Sequence, residues 1–354
     1  MILTALAAAM MFLQAGGNGG FPAVAADAGK IHVVWQDDAE GNHEIYYSHS
    51  TDSGSFTKAL NISHNAGTSD LPRIVAHDKA VAVVWSDTSD GMYQIMLAES
   101  DDGGEKFGMA RTLSDGKATT GPPDVAWQDG RLFVVWDETD ENGETRVIYW
   151  DSNGSRRSIA GSNHGFVPSV AVRGKRVVIA WHNDIDYKQH VYVVQSDDFG
   201  KSFSDPVVIS GDFQRSETPS VGIAPSGRSF IAWSDRTSGR SEIFVSMSDS
   251  DGKNYSAPKV LPSPERESIF PDLQVINDDD IAVAWLARGA IVYTRMSAAG
   301  VPKETARNLT NSDGAGVPRL AFSEGIPIVV WKDFVLPRAP IFLSKDRAPG
   351  KRIF

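Results

Sequence analysis

Seven apolar segments that end in tryptophan recur at nearly constant spacing along this chain of 354 residues. They read IHVVW, VAVVW, LFVVW, VVIAW, SFIAW, IAVAW and IPIVVW. The tryptophans stand 45 to 52 residues apart, at Trp35, Trp85, Trp136, Trp181, Trp233, Trp285 and Trp331. A sequence that is self-similar at such a period is built from one repeated supersecondary unit.

Each unit reads as four short strands, labelled a to d in chain order. Strand a follows a repeated proline, a residue that is tolerated at a strand start, and strand b ends at the tryptophan. The b segments are apolar at consecutive positions, which is typical of strands covered on both faces. Units of this length that bury their faces against one another indicate a β-propeller. We therefore predict an all-β fold, a β-propeller of four-stranded antiparallel blades, with seven blades preferred and six as the alternative.

The turns between strands c and d share the pattern Ser-x-Asp-x-Gly-x-x-aromatic, twice in full and twice in part. The matched residues are Ser50, Asp52, Gly54, Ser100, Asp102, Gly104, Phe107, Ser196, Asp198, Gly200, Phe203, Ser248, Gly252 and Tyr255. In such a turn the Ser and Asp side chains accept backbone N–H groups, and glycine supplies a positive φ. The pattern resembles the Asp-box, or bacterial neuraminidase repeat, of sialidase-like propellers. This resemblance covers residues 20–354 and implies that the turns are structural and lie opposite the active face.

The sialidase activity itself does not follow from the resemblance. Sialidases also carry an arginine triad for the substrate carboxylate, a tyrosine nucleophile assisted by glutamate, and an aspartate acid/base. Their first arginine lies in an Arg-Ile-Pro segment, which this sequence lacks; its nearest strings, LPRIV and VPRLA, reverse the order. We expect a sialidase-like propeller without the sialidase catalytic motif.

Residues 1–19 have two interpretations. Residues 2–13 form an apolar run of signal-peptide length, and cleavage after Ala15 would give a secreted or periplasmic protein. The seventh unit, however, lacks a strand d, and in many propellers the N-terminus supplies that strand and closes the ring. Residues 1–19 are thus a signal peptide or a closing strand, and residues 20–354 form a single propeller domain.

The composition excludes several classes of partner. The formal charge of −11 argues against nucleic acid, which requires a basic face. No cysteine is present, so disulfides and thiolate sites are excluded. The sequence contains no metal-ligand spacing, and we expect no metal, no cofactor, no integral membrane segment after processing, and a monomer.

The residues that directly follow the repeated prolines begin the innermost strands and should ring the central channel. They are Ala23, Arg73, Asp124, Ser169, Ser220, Asp272 and Arg319. The two arginines and two aspartates either fill the channel as ion pairs or form an anion or sugar site, since arginine binds carboxylates bidentately.

Other candidates follow the tryptophans. Asp37, Asp87, Asp137, Asp184, Asp235 and Asp333 are either Asx-turn residues or an acidic rim. His182 and Asp184, with His190 and Tyr187, are the best acid/base group that the sequence offers. Trp127 and Trp150 depart from the repeat and either stack on a sugar or pack between blades.

Three functions remain open. The first choice is an exported propeller that binds a carbohydrate or a protein ligand at the face opposite the Asp-boxes. The second is a glycoside hydrolase or lyase at that face, with Asp124 and Asp272 as the carboxylate pair. The third is a structural or assembly propeller. Enzyme activity is left undecided, with binding preferred.

Overall fold

The computed structural model describes residues 11–13, 15–51, 55–265, 267–310, 313–335 and 341–345. The first four sheets of the ring follow the repeat. Blade 1 contains β2 (Gly20–Asp27), β3 (Lys30–Asp37), β4 (Glu44–His49) and β5 (Leu60–Asn61). Blade 2 contains β6 (Ser69–His77), β7 (Ala80–Asp87), β8 (Gln94–Ser100) and β9 (Arg111–Thr112). Blade 3 contains β10 (Thr119–Thr120), β11 (Asp124–Gln128), β12 (Arg131–Thr139), β13 (Thr145–Asp151) and β14 (Arg156–Ser158). Blade 4 contains β15 (Gly165–Arg173), β16 (Arg176–Asn183), β17 (Val191–Ser196) and β18 (Val207–Val208).

The remaining three sheets complete the ring. Blade 5 contains β19 (Ser216–Ile223), β20 (Ser229–Asp235), β21 (Glu242–Met247) and β22 (Lys259–Leu261). Blade 6 contains β23 (Ser268–Asn277), β24 (Asp280–Ala287), β25 (Ala290–Met296) and β26 (Arg307–Asn308). Blade 7 contains β27 (Arg319–Ser323), β28 (Ile326–Lys332), β29 (Ile341–Lys345) and β1 (Met11–Leu13).

The seven sheets form a closed ring. Neighbouring innermost strands contact one another in chain order, and β2 of blade 1 contacts β27 of blade 7. All strand pairs within the blades are antiparallel, and no helix occurs among the described residues. The predicted seven-bladed propeller is confirmed, and the six-bladed alternative is wrong. In blade 3 the innermost strand is broken at residues 121–123, where two consecutive prolines have no N–H for the ladder.

The core is divided among the gaps between blades. Seven clusters of buried apolar side chains each contain one of the repeated tryptophans. All seven indoles are among the largest fully buried side chains. One twisted sheet cannot bury both of its faces alone, so the b strands become apolar at every position and stack blade on blade.

The Ser-x-Asp-x-Gly turns are held by their own side chains. Ser196 Oγ donates to Asp198 at 2.7 Å and accepts from Gly200 N at 2.8 Å. Asp198 also accepts from the backbone and hydroxyl of Ser202, and these bonds lower its pKa to about 2. Phe203 then meets Tyr149 of blade 3 edge to face, with ring centroids 5.2 Å apart. Such turns therefore join neighbouring blades.

The equivalent turns differ in detail. The turn that begins at Ser100 has the same bonds to Asp102 and from Gly104. In the blade 5 turn, Asp249 accepts from Lys253 N at 3.0 Å and replaces the missing aspartate of the pattern. Asp52 and Gly54 of blade 1 lie outside the described residues. The assignment to the Asp-box family remains a resemblance.

The N-terminal segment meets blade 7. Met11 pairs with Leu343 and Leu13 with Ile341, in the outermost strand position. Leu13 is 5% exposed and belongs to the cluster around Trp35. The described part of residues 1–19 thus takes the place of the missing strand d. Cleavage of this segment stays a prediction, and residues 1–10 lie outside the described part.

Candidate functional site at the channel mouth

The ring residues predicted from the repeated prolines lie at one end of the central channel. Six of the seven line a cavity of about 220 Å³, and the seventh, Ala23, is buried beside it. Gly20 at the start of β2 pairs with Gln36 at the end of β3, whereas Ile31 at the start of β3 binds Ser50 of the c–d turn. The cavity and the turns therefore lie on opposite faces of the propeller.

A backbone irregularity turns five side chains, four of them apolar, into this mouth. In five blades the residue before the repeated proline has a positive φ between 41° and 56°, and the strand register shifts at that point. These residues are Phe21, Leu71, Val167, Thr218 and Phe270, and all five line the cavity. A non-glycine residue in this region costs of order 1–3 kcal/mol. We call these five residues the collar; they precede the ring residues and lie further out.

Four ring residues also connect neighbouring blades through hydrogen bonds. Each accepts a hydrogen bond from a backbone N–H of the next blade. The pairs are Asp124 with Val170 (2.9 Å), Ser169 with Val221 (3.3 Å), Ser220 with Leu273 (2.9 Å) and Asp272 with Leu320 (2.6 Å). From the sequence, these positions were expected only to fill the channel or to bind a ligand. Their hydrogen-bond partners could not be predicted, because each partner is a backbone N–H group of the next blade.

Within the described part of the chain, the two arginines of the ring, unlike the two aspartates, make no hydrogen bond to a neighbouring blade. Arg73 Nε lies 3.8 Å from Asp124 Oδ1, and Arg319 Nη1 lies 3.9 Å from Asp272 Oδ1, both beyond hydrogen-bond distance. Each arginine donates instead to the carbonyl of its own preceding proline, at 3.0 Å for Arg73 and 3.4 Å for Arg319. The remaining guanidinium N–H groups have no acceptor among the described residues, and β6 and β27, which carry the two arginines, flank β2, which carries Ala23.

The four charged side chains form one electrostatic cluster. Burial raises the pKa of Asp272, while the charges of Arg319 and Arg73 oppose that rise. Burial also lowers the pKa of Arg73, with a further contribution from Arg319, while Asp124 and Asp272 oppose it. Since a guanidinium stays protonated in proteins, the two arginines place positive charge on one side of the mouth.

The predicted acid/base group around His182 is not assembled. His182 is 8% exposed, packs on Phe166 with ring centroids 5.9 Å apart, and has its pKa lowered by burial to about 4. Asp184 is exposed, and Tyr187 is 96% exposed in the same loop. His190 Nδ1 lies 3.4 Å from Ser210 Oγ. Neither His182 nor Asp184 lines the channel cavity.

The aspartates after the tryptophans are mostly turn residues. Four of them accept the backbone N–H two residues further on, as an Asx turn predicts. They are Asp37, Asp87, Asp235 and Asp333, with distances of 2.7 to 3.0 Å. Asp137 differs because it directly follows its tryptophan. It accepts from Val167 N at 2.9 Å, and burial raises its pKa to about 6.

The collar was missed by sequence reasoning, although its signal was present. Strings such as FP and LP repeat at the start of strand a. The sequence does not show the sign of φ, and that sign decides whether the side chain points into the channel. Trp127 and Trp150 both join the cluster between blades 2 and 3, which favours the packing interpretation.

Among the described residues no three histidine, aspartate or glutamate side chains are placed to hold a metal ion. In the same part of the chain no helix is long and apolar enough to cross a membrane.

Comparison with known proteins identifies the fold and no family. No protein-family model matches the chain, and no curated protein matches it. A Hadza microbial sialidase matches at a TM-score of 0.58 and 16% identity, over 80% of this chain and 66% of its own. A PL25 ulvan lyase bound to -[GlcA(1-4)Rha3S]- matches at 0.67 and 12%, over 95% and 96%.

A third solved structure broadens the comparison. The α-L-arabinofuranosidase arb93a from Fusarium graminearum matches at a TM-score of 0.53 and 16% identity, over 79% of this chain and 92% of its own. This chain thus spans just under two thirds of the sialidase and nearly all of the lyase. Identities this low show a shared propeller fold alone, so the chain is similar in architecture to propeller enzymes of different activities.

Proposed function

We propose that this protein is an exported carbohydrate-binding propeller whose channel mouth binds an anionic sugar unit. The observation that carries the proposal is the pair Arg73 and Arg319, whose outward N–H groups lack acceptors among the described residues while Asp124 and Asp272 are held by backbone N–H groups. Two guanidinium groups on the strands that flank β2 suit a planar carboxylate or a sulfate.

The collar supports a sugar rather than a bare anion. Phe21 is 42% exposed and Phe270 is 37% exposed, and both line the cavity close to Arg319. Aromatic rings offer apolar faces to the C–H side of a sugar ring. The cavity of about 220 Å³ lies below the range typical of ligand pockets, so it suits one unit rather than a long segment. The sialidase, lyase and arabinofuranosidase neighbours agree with a carbohydrate ligand.

A glycoside hydrolase at the same mouth is the second candidate. The raised pKa of Asp272 is the observation that favours it, since a general acid must keep its proton near neutral pH. Asp124 would then serve as the base or nucleophile. Asp124 accepts hydrogen bonds from Val170 N and Ser169 Oγ, and these bonds limit its movement. Binding therefore remains the preferred function.

The test compares carboxylated, sulfated and neutral oligosaccharides on an array and by calorimetry with the full chain. Arg73→Ala/Arg319→Ala should weaken acidic-sugar binding by about 100-fold or more, since hydrogen bonds to charged groups contribute about 1.5–3 kcal/mol each. Arg73→Lys/Arg319→Lys keeps the charge but loses the bidentate geometry of the guanidinium group. Its affinity for acidic sugars should therefore lie between those of the wild type and the double alanine variant. The control Arg111→Ala removes an arginine on another face. Acidic sugars that bind equally to the wild type and the double alanine variant would refute the site.

Turnover separates the two candidates. Reducing-sugar release from a bound oligosaccharide, lost in both Asp124→Asn and Asp272→Asn, would establish the hydrolase. Binding without release would leave the preferred function standing. A folded wild type that binds no sugar in any arm would favour the structural or assembly alternative.

A further inference from the structure

A second opening lies between blades 2 and 3, on the face that carries the Ser-x-Asp-x-Gly turns. It has a volume of about 480 Å³ and is lined by residues 80–82, 99–102 and 106–108 of blade 2 and by Trp127 of blade 3. We call it the blade 2–3 groove. It lies on the opposite face from the channel mouth.

The blade 3 turn next to the groove is shorter than the turns of blades 2 and 4. In blade 2, Phe107 reaches back to Tyr47 of blade 1, with ring centroids 4.8 Å apart, and Phe203 of blade 4 does the same to Tyr149. The blade 3 turn closes within four residues, through a bond from Asp151 N to Ser155 O of 3.0 Å, and carries no aromatic residue. At the interface between blades 2 and 3, Trp127 and Trp150 of strands a and c pack against the apolar cluster instead, and Trp127 also lines the groove.

The groove is lined by three carboxylates, Glu99, Asp101 and Asp102, and by one ammonium group, Lys106. Glu99 is paired with Arg111 at 3.1 Å. Asp102 accepts from Ser100 Oγ at 2.8 Å and from Lys106 N at 3.0 Å, so the turn already uses it. The exposed side chains of Asp101 and Lys106 carry opposite charges. The excess of carboxylates disfavours an anion, whereas the exposed Asp101 and Lys106 offer one acceptor group and one donor group to a neutral ligand.

We propose that the blade 2–3 groove is a second carbohydrate subsite that binds a neutral sugar unit, with Trp127 as its aromatic wall. Hydroxyl groups can donate to Asp101 and accept from Lys106, and the indole covers an apolar C–H face. The proposal rests on the proposed function for the class of ligand. It differs from that function in location, in charge preference and in the residues that carry it.

The groove can be filled without disturbing the core. A Cβ at Gly108 would meet its nearest heavy atom, the carbonyl oxygen of Glu99, at 3.6 Å, which is ordinary contact, and Gly108 is exposed. Gly108→Phe therefore places a ring in the groove. Met109→Phe is the matched control, since Met109 is 97% exposed and does not line the groove. Asp101→Asn and Trp127→Phe test the polar and aromatic contributions.

The readout is ¹⁹F NMR of the full chain labelled with fluorotryptophan, which gives one resonance for each of its nine tryptophans. The Trp127 resonance is the one lost in Trp127→Phe. It should shift on titration with neutral oligosaccharides of glucose, xylose, mannose or galactose. Gly108→Phe should weaken this binding by about tenfold or more, Asp101→Asn by less, and Met109→Phe not at all.

The two sites are separated in the same experiment. Arg73→Ala/Arg319→Ala should leave the neutral-sugar titration of Trp127 unchanged, and Gly108→Phe should leave acidic-sugar binding unchanged. The subsite proposal is overturned if no neutral oligosaccharide shifts the Trp127 resonance, if Gly108→Phe binds as tightly as the wild type, or if a lysine-rich peptide shifts it instead. Loss of acidic-sugar binding alone would overturn only the channel-mouth proposal.

Discussion

Replacement of His182 by leucine should make the protein less sensitive to acid. His182 is 8% exposed, and its Nδ1 has no hydrogen-bond partner among the described residues. Burial lowers its pKa to about 4. Blade 6 carries Leu286 at the equivalent position after its tryptophan, so the ring already accommodates a leucine there.

The direction of this pH effect follows from the pKa values of His182 in the folded and the unfolded chain. The folded pKa lies below the unfolded value of about 6.5, so the unfolded chain takes up the proton first as the pH falls. Stability from the neutral imidazole is complete above pH 6.5 and is lost as the pH falls towards 4. The whole difference corresponds to about 3 kcal/mol, and about 2 kcal/mol of it is lost by pH 5.

Urea unfolding at pH 8, 7, 6 and 5 measures this effect. The free energy of unfolding of His182→Leu, relative to wild type, should rise by about 2 kcal/mol between pH 7 and pH 5. The control Ile185→Leu changes an exposed side chain that does not titrate, and its difference from wild type should stay constant. If the His182→Leu difference is also independent of pH, the imidazole is not buried and neutral in the folded protein.

Three further changes test the ring. Ser220→Ala leaves a buried N–H of blade 6 without its acceptor and should cost about 1–3 kcal/mol in calorimetry; an unchanged Tm would contradict a role of this bond in connecting the blades. Gly200→Ala, at φ 77° against a tyrosine hydroxyl, should destabilise more than Gly154→Ala, at φ 92° in open space, and equal losses in urea unfolding would rule out the close contact. Leu13→Asp should lower Tm sharply if the N-terminal strand is retained, and should have no effect if N-terminal sequencing finds it cleaved.

The limits of sequence reasoning are clearest at the channel mouth. The residues after the repeated prolines were placed in a ring from register alone, and six of them do line the cavity. Their partners could not be predicted, because Asp272 binds the backbone of Leu320 in another repeat. His182 was expected in an acid/base group, but it is buried against Phe166, its cross-strand neighbour in the same blade.

The sequence by itself determined the architecture, because its signals are local and repeated. The tryptophan spacing, the apolar b strands and the proline before each strand a depend on contacts that every blade makes with its neighbours. Only the tertiary structure decided the sites. The strands of Arg73 and Arg319 flank the strand of Ala23 because closure of the ring brings blade 7 beside blade 1, and the collar points inward because φ is positive at Phe21 and Phe270. The positions of the two arginines and of the collar depend on ring closure and on backbone strain. Neither can be predicted from the sequence of a single repeat.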